Sequence, residues 1–481
     1  MKRAICLLII ASLILTASCG ETSTGDETTK ATENVDETTM KAEEYSFAEL
    51  DLGGDTFAIL NSSDTYGFYY YLDHDEISGE RLDDVIYERN RKLEVKYSFK
   101  LEIIEEPFYE SSSKFRQTVT AGDDTYDAAF IWVDNLSPLI SEGCLKDLHS
   151  IETINLDKSW WDQKSLETMR VGGDQAYFAF CNTSLVKFEG MQSVFMNLDK
   201  FDDLGLIAPY DEVENGTWTI DKLHELAARG ANLNGDESFA WNKGGKAVYG
   251  IAGNEGSAFG LIYSCGNRFI DHDKSGEPYL AIDTERFYET AEKITKITFT
   301  EGEFIFLNQN TDPEDHYEMA FKNNRSLLMT GEIKAASKYR DANFSFGILP
   351  NPKLDEDQEN YISVGGFAHA TVIPVTAADA EKSGAILDGL AYLTETEVMP
   401  EFYNNTVSQK RLRDDRSVDM LKIISESEYL DPGEIFSWTH NMRIELYTKM
   451  IKDKDDSFAS TIASYRASVN EAIKESIELF E

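Results

Sequence analysis

Basic residues are scarce in this chain. It carries 45 Lys and Arg against 87 Asp and Glu, which gives a net charge of −42. Phosphate recognition needs clustered Lys and Arg. The composition therefore argues against nucleic acid and anionic lipid as partners, and a strongly acidic exterior more often serves solubility.

Cysteine is also scarce, and the motifs of metal and nucleophile chemistry are missing. Beyond the N-terminal region only Cys144, Cys181 and Cys265 remain, far apart and without a CxxC or Cys/His metal spacing. We expect three buried, small apolar side chains, with no disulfide, metal or organic cofactor. The sequence shows no nucleophile elbow, HExxH motif or P-loop. A non-enzymatic protein is therefore expected.

The N-terminus lacks a hydrophobic run long enough to cross a membrane. Ala4–Leu15 is nearly all apolar and follows Lys2 and Arg3, whereas a spanning helix needs about 20 residues. This order is typical of a secretory signal. Thr16-Ala17-Ser18-Cys19 resembles the lipobox of bacterial lipoproteins, which implies that a lipid such as palmitate attaches at Cys19. A plain signal peptide with an incidental cysteine is the alternative.

The segment after Cys19 has the composition of a flexible tether. Residues 20–45 carry eight acids, two lysines and many threonines, too little apolar surface to offset chain entropy. We assign residues 1–19 to a lipoprotein signal peptide and 20–49 to a disordered acidic tether. This organisation predicts a folded domain that is tethered to the outer face of the cell membrane.

The remaining chain alternates strand and helix patterns. Short apolar runs predict strands at 55–60, 98–104 and 126–133, separated by segments with helical spacing. Further strands are predicted at 193–197, 326–330 and 365–374. This rhythm favours parallel α/β sheets, and the length suits two lobes better than one core.

Seven segments occur in an order that resembles extracellular solute-binding proteins of ABC importers, carbohydrate-binding group, similar to maltose-binding proteins. They include "AGDDTYDAAFIWVDNLSPLISEGCLKDL", "GTWTIDKLHELA", "FSFGILPNPK" and "GGFAHATVIP". The resemblance implies a two-lobed, type II periplasmic-binding-protein-like α/β fold with a hinge and an inter-lobe cleft. Lobe one would comprise 50–178 and 366–412, and lobe two 181–363 and 416–481. The chain would cross near 177–181, 364–367 and 411–417.

The resemblance also implies a function. The protein would be a monomeric, lipid-anchored component that captures a neutral sugar or oligosaccharide by hinge closure and delivers it to an ABC permease. Three alternatives stay open: a binding protein for another solute such as a peptide, a receptor feeding a sensor kinase, and a lipid-anchored glycoside hydrolase. The abundance of acids leaves a catalytic carboxylate pair possible on sequence alone.

Sugar binding combines planar hydrogen-bonding groups with aromatic stacking. Positions that match ligand-contacting segments of the family, or that follow strand ends, give the candidate residues. They are Asp64, Tyr66, Trp132, Asp134, Asn135, Asn182, Trp241, Glu332, Phe367 and Trp438.

Several predicted functional residues also have a purely structural interpretation. Trp132 would equally fill the core of lobe one, and Asp134 would cap the helix that follows it. Gly365 and Gly366 are the candidate hinge, either for their backbone freedom or because two backbones pass closely there. "DHDKSG" (271–276) resembles the start of a calcium loop, but its twelfth position is Ile282, so a polar β-hairpin is predicted.

Overall fold

Two separate β-sheets, each flanked by helices, organise the chain from Phe47 onward into one compact unit. The structure is a computed structural model that describes residues 45–171, 173–307, 316–339, 342–408 and 416–480. Cys19 and the expected tether up to residue 44 lie outside the described residues. The strands and helices confirm the predicted α/β class.

The strands are β1 (Thr56–Ser63), β2 (Lys100–Pro107), β3 (Ala128–Trp132), β4 (Gln192–Asn197), β5 (Tyr249–Gly253), β6 (Ile270–His272), β7 (Pro278–Leu280), β8 (Phe304–Phe306), β9 (Ser326–Glu332), β10 (Phe346–Pro350), β11 (Ser363–Val364), β12 (His369–Val372) and β13 (Glu428–Tyr429). The helices are α1 (Arg81–Tyr97), α2 (Phe108–Thr120), α3 (Leu136–Ser141), α4 (Gln163–Thr168), α5 (Val186–Glu189), α6 (Leu198–Asp203), α7 (Tyr210–Glu214), α8 (Ile220–Gly230), α9 (Gly256–Ser264), α10 (Glu285–Phe299), α11 (Tyr317–Lys322), α12 (Ala380–Leu393), α13 (Met399–Ser408), α14 (Arg416–Glu426), α15 (Pro432–Ile435), α16 (His440–Thr448) and α17 (Phe458–Phe480).

The sheet of lobe one has the strand order β12-β3-β1-β2. β1 runs parallel to both neighbours, so that Leu60 pairs with Ile104 and with Ala129. β12 is antiparallel, with His369 opposite Trp132. Every residue of β1 after Thr56 is buried, as expected for a parallel strand covered on both faces. The apolar residues that recur at helical spacing in α1 form its buried face, which includes Leu82, Ile86 and Leu93.

The sheet of lobe two has the order β10-β4-β9-β5-β8. β5 is parallel to β8 and β9, and β4 is antiparallel to both β9 and β10. In lobe two the antiparallel partner of the parallel strands is the first strand of that sheet, β4, whereas in lobe one it is the last strand of the sheet, β12. The chain therefore returns to the first sheet after it has formed the second.

The chain passes between lobes later than expected at the first crossover. Ala179 still bridges Thr371 and Cys181 still bridges Trp161 in lobe one, and the sheet of lobe two begins at Gln192. The passage therefore lies C-terminal to the expected 177–181.

At the second crossover, the strand predicted over 365–374 is confirmed in its central part as β12 (His369–Val372). The preceding β11 ends at Val364, and Gly365 then bridges Met191. The third crossover between the lobes, expected at 411–417, lies almost wholly outside the described residues. The lobe boundaries stay a prediction.

The two glycines at the second crossover differ in the space around them. Neither Gly365 nor Gly366 has a positive φ, so the expected backbone freedom is not used in this structure. A Cβ at Gly366 would lie 3.3 Å from the ring of Phe259, and one at Gly365 would lie 3.5 Å from Leu430. At Gly366 the Phe259 ring leaves little room for a side chain, whereas at Gly365 a Cβ would make an ordinary van der Waals contact.

A buried ion cluster ties the segments of the predicted hinge together. The Lys187 ammonium on α5 lies 3.1 Å from Asp162 of lobe one and 2.8 Å from Glu428 of β13; we call these three residues the hinge triad. Burial raises the pKa of Glu428 to about 7, although Lys187 opposes this shift. Burial alone would lower the pKa of Lys187, but its two carboxylates raise it overall.

Two other expectations concern residues away from the hinge. Cys144, Cys181 and Cys265 are buried free thiols, as expected for small apolar side chains. The "DHDKSG" segment forms the predicted hairpin, with β6 antiparallel to β7.

Candidate ligand-binding site

The carboxyl ends of the parallel strands define one edge of each lobe. β1 ends immediately before Asp64, β2 before Phe108 and β3 before Asp134 and its neighbouring 3₁₀ turn. In lobe two, β9 ends at Glu332. Ligands of open α/β sheets bind at this edge, so the predicted residues that follow these strands belong to the candidate site.

Five aromatic rings meet at the edge of lobe one. The Tyr66 ring centroid lies 4.9 Å from that of Phe108, 6.0 Å from Trp132 and 6.2 Å from Phe367. Phe68 lies 5.1 Å from Phe367, and Trp132 lies 5.5 Å from Phe367. We call these rings the aromatic cluster. Three members were predicted, Tyr66, Trp132 and Phe367; Phe68 and Phe108 were not.

Exposure divides the cluster into a floor and a surface. Trp132 is 1% exposed and Phe68 is 3% exposed, whereas Tyr66 is 62% exposed. The indole Nε1 of Trp132 donates to Asp134 Oδ2 at 3.1 Å, and Asp134 itself is exposed. Trp132 therefore packs as the floor, and Tyr66 and Asp134 are the groups that a ligand could contact directly.

The loop that carries Tyr66 adopts an uncommon backbone. Asp64 has φ 56° and Tyr66 has φ 47°, a left-handed conformation that costs a non-glycine residue roughly 1 kcal/mol. Turn hydrogen bonds hold it, since Tyr66 N donates to Asp64 O and Phe68 N donates to Thr65 O. Such strain is concentrated at functional sites, which adds weight to both predicted residues.

Lys334 of lobe two reaches the aromatic cluster and was not predicted. It lies in a short 3₁₀ helix (Ile333–Tyr339) directly after β9. Its Nζ donates to the carbonyl of Tyr66 at 3.1 Å and lies 3.7 Å from the ring centroid of Phe68. Burial lowers its pKa, and Glu332 opposes the shift. This contact joins the two lobes at the site.

Two carboxylates flank this lysine. Glu189, at the end of α5, accepts a hydrogen bond from Tyr69 N at 2.6 Å, and burial raises its pKa to about 7. Glu332 accepts from Gln192 Nε2 at 3.3 Å and is half-buried. The edge of lobe two thus offers carboxylate, amide and ammonium groups opposite the aromatic rings.

The structure places three predicted residues away from the aromatic cluster. Asn182 donates to Glu395 of lobe one. Trp241 lies near the amino end of β5, under the guanidinium of Arg325 at 4.1 Å, which is the opposite edge of the sheet.

Trp438 is 7% exposed and stacked on Phe436 at 4.7 Å, and its Nε1 donates to Ser476 of α17. It therefore packs in the core of lobe two. The side chain of Asn135 lies outside the described residues.

The arrangement suits recognition of a molecule with apolar faces and many hydroxyl groups. An exposed ring, two acids (Asp64 and Asp134) and the groups on lobe two could stack and hydrogen-bond such a ligand. Among the described residues, no group of three His, Cys, Asp or Glu side chains could hold a metal ion. No helix within the described ranges is long and apolar enough to cross a membrane.

Comparison with known proteins finds similarity in structure alone. No protein-family model matches the chain, and no curated protein matches its sequence. A cyclic α-maltosyl-1,6-maltose binding protein from Arthrobacter globiformis superposes with a TM-score of 0.59 at 12% identity, covering 88% of this chain and all of its own.

The maltose-binding protein MalE from Listeria monocytogenes, bound to maltose, gives 0.57 at 13% identity over 88% of this chain and 98% of its own. An ABC substrate-binding protein of the same organism, bound to cycloalternan, gives 0.55 at 14% identity over 88% and 99%. The chain therefore has the two-lobed fold of solute-binding proteins.

Proposed function

We propose that this chain is the substrate-binding component of an ABC importer and captures a sugar or oligosaccharide between its lobes. The observation that carries the proposal is the aromatic cluster at the carboxyl edge of lobe one, with Tyr66 exposed and acids beside it. Sugar rings present weakly polar CH faces that stack on aromatic rings and hydroxyl groups that bond to carboxylates and amides. The neighbours in structure are binding proteins, several of them with oligosaccharides bound.

The proposed ligand is neutral. Among the described residues, Lys334 is the cation that reaches the aromatic cluster, and its ammonium already bonds the carbonyl of Tyr66 and lies near the carboxylates of Glu332 and Glu189. With Asp64 and Asp134 at the same edge, the local charge disfavours a carboxylate- or phosphate-bearing ligand.

Delivery and anchoring complete the proposal. A lipid at Cys19 with an acidic tether would hold the body on the extracytoplasmic face of the membrane, and proximity would raise the local concentration of the receptor at its permease. Closure about the hinge segments would then distinguish the loaded receptor from the empty one. The protein would act without covalent chemistry.

Isothermal titration calorimetry tests the proposal directly. The panel should contain maltose, larger linear and cyclic α-glucans, acidic glycans and short peptides. Saturable binding of a neutral saccharide is the expected result. Binding of peptides with no response to any saccharide would favour another solute, and exclusive binding of an acidic glycan would refute neutrality.

Chromatography of the oligosaccharides after incubation separates binding from hydrolysis. Intact oligosaccharide is expected. Release of shorter sugars at a rate that depends on protein concentration would identify a glycoside hydrolase instead.

A further inference from the structure

A second polar site lies at the edge of the lobe-two sheet that faces away from the aromatic cluster. It is a cavity of about 430 Å³, which we call the basic pocket. Arg325 directly precedes β9, and Lys200 lies on α6 just after β4. Because β9 has seven residues, Arg325 is roughly 20 Å from Glu332. The residues that matter here are Lys200, Trp241, Lys243, Lys246, Asn324 and Arg325.

The charge of the basic pocket is opposite to that of the chain. Four cationic side chains line it, and none of the described residues that line it is acidic, although the net charge of the chain is −42. Asp236 lies beside the pocket: its Oδ2 accepts from the backbone amides of Lys246 and Ala247 at 2.6 and 2.8 Å, and these bonds together with the charges of Arg325 and Lys246 lower its pKa. Among the described residues, the four cations still outnumber this carboxylate, so the local charge favours an anionic ligand.

Arg325 supplies the second, independent observation. It is 8% exposed, and its Nη1 and Nε donate to the carbonyls of Asn242 and Ala247 at 2.6 and 3.1 Å. The central carbon of its guanidinium lies 4.1 Å from the centroid of the Trp241 ring. Its Nη2, in contrast, is buried without a hydrogen-bond partner within the described part of the chain. A buried donor without an acceptor is costly, and an acceptor in the pocket would satisfy it.

We propose that the basic pocket binds a phosphate-type oxyanion. A fixed guanidinium with a free donor matches oxyanion geometry, and surrounding ammonium and amide groups add charge and further donors. Half-buried Lys200 contributes from the wall, and burial lowers its pKa. The phosphate could come from a free solute or from an anionic lipid headgroup. The site is independent of sugar capture in the cleft.

The first experiment uses inorganic phosphate. Calorimetry at low salt is paired with NMR of the Trp241 indole N–H, assigned with Trp241→Phe. Saturable binding that shifts this signal and weakens as salt rises is expected. Arg325 also holds two carbonyls, so Arg325→Gln risks the fold, and the deciding variant is the exposed pair Lys243→Ser with Lys246→Ser. It should weaken binding by roughly three- to tenfold.

The matched control is Lys274→Ser with Lys452→Ser, which removes the same charge from exposed positions elsewhere. It should bind phosphate as the unmodified chain does. Equal weakening by both pairs would indicate a general charge effect and overturn the proposal, as would undiminished binding by the Lys243/Lys246 variant.

Vesicle co-sedimentation distinguishes the two sources. Vesicles of phosphatidylcholine with phosphatidylglycerol are compared with phosphatidylcholine alone, using the unmodified chain and the Lys243/Lys246 variant. A difference between these proteins on the anionic vesicles assigns the headgroup as a ligand. Phosphate binding without that difference assigns a free phosphate. Absence of both responses would reject the site.

Discussion

Replacing the exposed ring of the aromatic cluster is the sharpest test of the candidate site. Tyr66→Ala removes the ring but keeps a Cβ, so the strain of the left-handed backbone at φ 47° is the same in both proteins. The ring is 62% exposed, so its loss should change the free energy of unfolding by less than about 1 kcal/mol. An effect on affinity can then be attributed to the missing ring.

The size of that effect follows from the exposed surface. A tyrosine side chain buries roughly 200 Å² when fully covered, so a ring that is 62% exposed retains roughly 120 Å² for a ligand. A sugar stacked on one face would cover about half of this. At about 25 cal/mol per Å², the loss is about 1.5 kcal/mol, or about tenfold in Kd.

Calorimetry with the best saccharide from the panel measures this change, and two variants control it. Tyr66→Phe keeps the ring and should bind within about fivefold of the unmodified chain, since one hydrogen bond is worth about 1 kcal/mol at most here. Tyr279→Ala removes another exposed ring, on the β6–β7 hairpin, and should leave Kd unchanged. Unchanged affinity in Tyr66→Ala, or an equal loss in Tyr66→Phe, would refute stacking on this ring.

Three other substitutions test the hinge triad, the buried carboxylate of Glu189 and the membrane anchor. Lys187→Met leaves two carboxylates of the hinge triad buried without their cation, so urea titration should show that the free energy of unfolding falls by about 3–5 kcal/mol. The control, Lys222→Met in an exposed ion pair, should lower it by less than about 1 kcal/mol. Similar losses in the two variants would contradict a structural role for the triad. Burial raises the pKa of Glu189 to about 7, so the native state binds more protons than the unfolded state between about pH 4.5 and 7, and stability should fall as pH rises through that window. Glu189→Gln should flatten this slope, and an unaltered pH profile would rule out Glu189 as its source. Cys19→Ala should release the protein from the membrane fraction, whereas undiminished sedimentation with membranes would exclude a lipid at that residue.

The strands and the strand-end residues were predictable because their signals are local. Parallel strands buried on both faces are short apolar runs, and those runs predicted β1 and β3 to within a few residues. Asp64, Tyr66 and Asp134 follow such strands directly, so the fold brings them to one edge by chain connectivity alone. The sequence resemblance placed these positions correctly at the carboxyl edge because it preserved the order of elements.

Residues whose role depends on distant packing were not predictable. A tryptophan in a sequence carries the same apolar signal whether it lines a cleft or fills a core. Trp438 donates to Ser476, 38 residues away, and Trp241 packs under Arg325 of another segment; neither contact has a local signature. Lys334 was missed for the same reason, since its partner Tyr66 lies 268 residues away.

Tyr66 belongs both to the proposed ligand site and to the contact between the lobes. Its ring is the exposed face of the aromatic cluster, and its carbonyl is the acceptor for Lys334 of the opposite lobe. The surrounding turn holds the left-handed backbone of this residue. If a ligand orders the ring as proposed, we expect it also to order the acceptor for Lys334 and to stabilise the arrangement in which the lobes touch. Population of that arrangement can shift only by the difference in ligand affinity between the two lobe arrangements, so the tenfold contribution assigned to the Tyr66 ring sets an upper limit of about 1.5 kcal/mol on its share of lobe closure.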